Sequence, residues 1–105
     1  MLVFNLKKEW FEKIKSGEKT HEYREVKPYW TKRLYNSLFD ISERGKIIFN
    51  RDDIPLYCKF INGYANKKEK ILNAEITRIS KTNGKHTDLA IDKDVYDIEF
   101  ELIEG

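Results

Sequence analysis

The sequence has little of what staples, kinks or anchors a chain. Its 105 residues contain one cysteine, Cys58, so no internal disulfide can form. With two prolines and five glycines, no low-complexity segment or internal repeat breaks it up. No run approaches the roughly 20 apolar residues that cross a bilayer. The apolar opening Leu2–Leu6 meets charge at once, so no secretory signal is expected. An excess of one charge is also missing. The net charge is +2 and the pI near 8.6, so a polyanion-binding tail is not indicated. Any nucleic-acid surface must come from local clustering. Two histidines, His21 and His86, and one cysteine do not make a zinc site with ordinary ligand spacing. No glycine-rich phosphate loop and no serine in a nucleophile elbow is present. These absences predict a non-membrane, cytoplasmic protein with no metal or cofactor.

What is present argues for one folded domain. Hydrophobic residues make up 40% and aromatics 13%, enough for a single core at this length. Charged residues make up 36%, which leaves a heavily ionic surface. Leu2–Leu6 reads as an opening strand. Lys8–Ser16 carries Trp10, Phe11 and Ile14 at helical spacing, and Gly17 stops it. Lys19–Val26 reads as a strand. Pro28 suits the first turn of a second helix over Tyr29–Leu38, with Trp30, Leu34 and Leu38 on one stripe. Trp30 is therefore expected in the core, and Lys32 and Arg33 off the stripe, facing water or a ligand. Lys46–Asn50, Tyr57–Ile61 and Ile71–Ser80 read as further strands, with a turn at Thr82–Lys85. Val95–Ile103 alternates, with Tyr96, Ile98, Phe100 and Leu102 on one face and Asp97, Glu99 and Glu101 on the other. About six strands and two or three helices suggest a mixed, mainly β domain, a small β-barrel. Spacing alone leaves an α+β sandwich open.

The stretch Gly17–Arg24 is the candidate site. Gly17 ends the helix in a left-handed conformation at no steric cost. Alternation puts Thr20, Glu22 and Arg24 on one strand face, with Lys19 at its mouth. An exposed, charge-paired edge strand is the plainer reading of the same residues.

The residues Gly17, Lys19, Glu22 and Arg24 match the Gly-x-Lys-x-x-Glu-x-Arg signature of ASCH domains, which belong to the PUA-like superfamily. The later segments Lys27-Pro28-Tyr29-Trp30 and Asn62-Gly63-Tyr64 resemble a small, often phage-associated branch of single-domain ASCH proteins. The resemblance covers nearly the whole chain. It implies a small β-barrel with a cleft beside the first helix and the signature strand. It also implies binding of RNA or a modified nucleotide. For some members it implies hydrolysis of N4-acetylcytidine, or RNA cleavage. The hydrolase lysine carries over to Lys19. The hydrolase threonine, two residues before the signature arginine, is here Glu22. No downstream acid is assigned, Glu69 and Glu75 being only candidates.

On this reading Lys19 donates to a phosphate or carbonyl, and with Glu22 would be catalytic only in an enzyme. Arg24 clamps an anion, and Glu22 accepts from an exocyclic amine. Thr20, Tyr23, Tyr29, Lys32, Arg33, Asn62 and Tyr64 complete the expected binding residues. Lys27, Lys67, Lys68 and Lys70 supply positive charge near the cleft, or are simply solvated. A salt bridge of Glu22 with Arg24 that closes one barrel end is compatible with binding. Docking of another protein through the helices is the remaining alternative. Cys58 reads as a buried small apolar residue.

Overall fold

Alternation in Leu2-Val3-Phe4-Asn5-Leu6 gives the first strand two faces, and the structure buries Leu2, Phe4 and Leu6 while exposing Val3 and Asn5. The computed structural model describes residues 2–36, 47–50, 55–63 and 70–103. In chain order the elements are β1 (Leu2–Leu6), α1 (Lys8–Lys15), β2 (His21–Glu25), α2 (Pro28–Asn36), β3 (Ile47–Asn50), β4 (Leu56–Asn62) and β5 (Ile71–Asn83). A 3-10 turn at Gly84–His86 and β6 (Asp94–Leu102) follow. The expected Leu38, Tyr64, Lys67, Lys68 and Glu69 lie outside the described residues.

The strands form one mainly β sheet in the order β1-β4-β5-β6-β2, with β3 also paired to β5. Among the described strands only β1 and β4 pair in parallel. β5 is long enough to serve three partners. Its first half pairs with β4 and its second half with β3 along the same edge, while β6 takes the other edge. A bulge at Thr77, between Ile76 and Arg78, bends the strand where that change occurs. The Thr77 hydroxyl donates to the Glu99 carbonyl at 3.1 Å.

The sheet curls into a half-barrel, which fits the small, mainly β fold expected. β1 and β2 end the strand path and form no ladder with each other among the described residues. Charged side chains of β2 stand where that ladder would be, as described below. The concave side is filled by Phe4, Phe60, Ile76, Ile79, Tyr96, Ile98 and Phe100. Phe11 and Ile14 of α1 and Leu34 of α2 join the same core. Each such burial stabilises by about 2 kcal/mol relative to exposure. The buried Tyr96 hydroxyl is satisfied by Thr31 of α2 at 2.6 Å.

Four local expectations change. β2 begins at His21, not Lys19, because the backbone of Lys19 is still capping α1. Its N–H donates to the Lys13 carbonyl at 3.0 Å, just after Gly17 turns at φ +84° and donates to Ile14. β5 runs on to Asn83, three residues past the expected Ser80, so the turn expected over Thr82–Lys85 begins only at Gly84. Leu102 is exposed as the last residue of β6, although Ala74 opposite it is buried. Trp30 is half-buried rather than interior. It stacks on Phe4 at 5.2 Å, at the rim of the core.

Candidate functional site

The two open strand edges face one another, and side chains meet their unpaired backbone groups. The Leu6 carbonyl accepts from Gly63 N on the β4 side, so the Asn5 carbonyl turns to the open edge. On the opposite strand, Thr20 and Val26 bond to β6, so the Tyr23 N–H turns to its open edge. Arg24 NH2 donates to the Asn5 carbonyl at 3.3 Å. Glu22 Oε1 accepts from Tyr23 N–H at 3.0 Å. Glu22 and Arg24 lie opposite Ile98 and Tyr96 of β6, so both point to the concave side.

Glu22 is the one buried charged residue among the described core positions, 6% exposed. Its carboxylate lies 3.5 Å from Arg24 NH2 and 3.7 Å from Lys19 Nζ. Two cations and an amide therefore offset its loss of water. The Arg24 guanidinium stacks 4.8 Å from the Trp30 ring and 5.2 Å from Phe4. Its Nε is buried and has no hydrogen-bond partner.

Lys19 is held on every side. Its ammonium pairs with Asp88 and lies 5.1 Å from the Trp10 ring and 5.2 Å from the Tyr23 ring. Its side chain is 11% exposed. Burial raises the Tyr23 phenol above its usual value of 10, and the neighbouring carboxylates Asp97, Asp88, Glu22 and Glu99 add to this. Glu25 is lowered chiefly by its hydrogen bond with Lys27, and Lys93 adds to this.

A hollow of about 510 Å³ opens between β1 and β2. Lys19, Glu22, Tyr23 and Arg24 line it from the signature side, and Asn5, Lys7 and Trp10 from β1 and α1. Asp88, Leu89 and Ile91 of the turn before β6 complete it. Lys7, Lys19 and Arg24 are balanced by Glu22, Glu25 and Asp88, so selectivity must come from individual pairs rather than from net charge. A second hollow of about 400 Å³ shares Trp10, Lys19, Tyr23 and Asp88 with the first. It adds Lys13, Glu18, Thr20 and His21. The His21 Nδ1 lies 2.7 Å from Asp97, and Nε2 lies 4.0 Å from Glu99.

The structure thus brings Lys19, Glu22, Tyr23 and Arg24 together, with Thr20 in the adjoining hollow. Among the described residues, Tyr29, Lys32, Arg33 and Asn62 do not line these two hollows. Tyr29 is exposed on α2, with the Arg33 guanidinium 3.6 Å from its ring centroid. Lys32 is exposed on the same helix, and Asn62 ends β4 opposite Leu6. Glu75 is on β5 opposite Glu101, away from Lys19. Sequence reasoning did not find Asp88, which reaches Lys19 across 69 residues of chain with no local pattern to mark it. It also read Trp10 only as part of an apolar stripe. Lys13, three residues on and 4.9 Å from the indole, was the available signal that this ring faces cations.

No family model, curated protein or solved structure matches the chain. Its geometry alone therefore defines the class: a mainly β half-barrel with a mixed-charge, aromatic-walled cleft at its open edge.

Proposed function

We propose that the chain is an ASCH domain of the PUA-like type that binds RNA or a modified nucleotide, with a base in the cleft between β1 and β2. One observation carries this reading. An ammonium, a carboxylate and a guanidinium open onto a hollow of about 510 Å³ walled by an indole and a phenol. That volume lies within the roughly 300–1,000 Å³ usual for small-molecule clefts. Trp10 and Tyr23 offer stacking surfaces, worth about 1–3 kcal/mol per base. Lys19, Glu22 and the backbone edges supply donors and acceptors for a base edge.

The test is titration with nucleosides, nucleoside 5′-monophosphates and short RNA, followed by backbone amide shifts. Perturbation of residues 19–25 is expected, with Trp10→Ala weakening binding about tenfold. Absence of any shift there with all three ligand types would remove the proposal.

A hydrolase reading is favoured by a single feature, the acid Asp88 beside Lys19. Against it, Glu22 stands where the resemblance places a threonine. Cytidine released from N4-acetylcytidine, and lost in Lys19→Ala, would establish it over binding alone.

A further inference from the structure

The geometry points to Asp88 as an internal occupant of an oxyanion site formed by Lys19 with Trp10 and Tyr23, a site that a phosphate group takes over when ligand binds. The proposal rests on the nucleotide reading only for the molecule that carries the phosphate.

Two carboxylates meet Lys19, and they differ. Glu22 is fixed by burial, by the Tyr23 N–H and by Arg24. Asp88 is an exposed residue of a turn, and among the described residues Lys19 is its ion-pair partner. Its side chain is 27% exposed while that of Lys19 is 11% exposed, so the carboxylate covers the ammonium from the solvent side. The pair stands on the wall common to both hollows. An oxyanion that displaces Asp88 therefore gains a desolvated, ring-flanked cation without rearranging the sheet.

The second hollow explains why phosphate fits better than another carboxylate. Lys13 and Lys19 approach the same Trp10 ring at 4.9 and 5.1 Å, and Lys13, Thr20 and the opposing carboxylate Glu18 line the hollow beyond it. A phosphate monoester carries about −1.5 to −2 charges at neutral pH and three acceptor oxygens. It brings charge for two lysines of one hollow, whereas Asp88 brings one negative charge and pairs with Lys19. A base in the first hollow and its phosphate on the shared wall would let one nucleotide use both. The cost is loss of the tethered Asp88 contact, which competes at high local concentration.

The test is a gain of binding. Inorganic phosphate, a nucleoside and its 5′-monophosphate are titrated into the native chain and into Asp88→Asn, read by amide shifts of Lys19, Thr20 and His21. Phosphate is expected to bind Asp88→Asn about fivefold more tightly. The ratio of monophosphate to nucleoside affinity is expected to rise by a similar factor. Asp92→Asn, on the same turn but in neither hollow, should leave phosphate binding as in the native chain. Lys13→Ala should weaken phosphate in both backgrounds. Phosphate affinity unchanged or lowered in Asp88→Asn overturns the proposal, as does phosphate binding insensitive to Lys13. If phosphate tightens as expected but neither nucleoside nor monophosphate binds better than phosphate itself, the anion site stands and the nucleotide reading falls.

Discussion

Arg24 has three duties that are hard to separate by deletion. It serves Asn5 on the opposite edge, compensates Glu22, and covers Phe4 and Trp30. Removing it leaves a nearly buried carboxylate with one cation instead of two. Arg24→Met should therefore cost about 2 kcal/mol in urea unfolding, less than a fully buried pair because the guanidinium is partly exposed. The double change Glu22→Gln with Arg24→Met should cost less than Arg24→Met alone, since no uncompensated charge remains. A double variant less stable than the single would mean that the pair contributes through packing, not charge. The Glu22–Arg24 contact was legible at this scale, because two residues apart on a strand means one face. The Arg24–Asn5 contact was not, since a backbone carbonyl on a distant strand leaves no mark in a side-chain pattern.

At the scale of elements, the turn between β5 and β6 decides where Asp88 stands. Gly84 is its hub. Its N–H donates to the Lys93 carbonyl, and its carbonyl accepts from Thr87 N, Ile91 N and the Thr87 hydroxyl. A Cβ at this position would lie 2.7 Å from the Ile91 carbonyl oxygen and 2.9 Å from a Val95 methyl. Gly84→Ala should therefore destabilise by about 1–3 kcal/mol, as overpacking does. It should also shift the Asp88 and Lys19 amides together. Shifts confined to residues 84–86 would show the turn and the cleft to be uncoupled. The Asn83-Gly84 pair was readable as a turn signal, and the ends of the described elements were found within three residues, β5 being the furthest off. Their register was not, because pairing across the sheet depends on the Thr77 bulge and on which edge each strand takes.

For the whole molecule, Cys58 reports on the core. Burial, with Glu22 adding to it, pushes the thiol from 9.0 up to about 12. The raised value in the fold means that the unfolded chain loses this proton first. Stability should therefore hold below about pH 9 and fall as pH rises toward 12, by on the order of 4 kcal/mol if fully realised. Tyr23, also raised, acts in the same direction above pH 10. Urea midpoints measured from pH 8 to 11 should fall less steeply in Cys58→Ala than in the native chain. Parallel slopes would place the alkaline loss elsewhere. The mainly β architecture was legible in alternation and turn spacing. The open seam was not, because nothing local states that two terminal strands fail to pair. β1 has its ladder with β4, and Leu2 sits opposite Cys58. β1 is thus made more than half of this sequence ahead of the strand that is its rail. One lip of the cleft is consequently assembled late, after the residues that form the other lip's local motif have long been available.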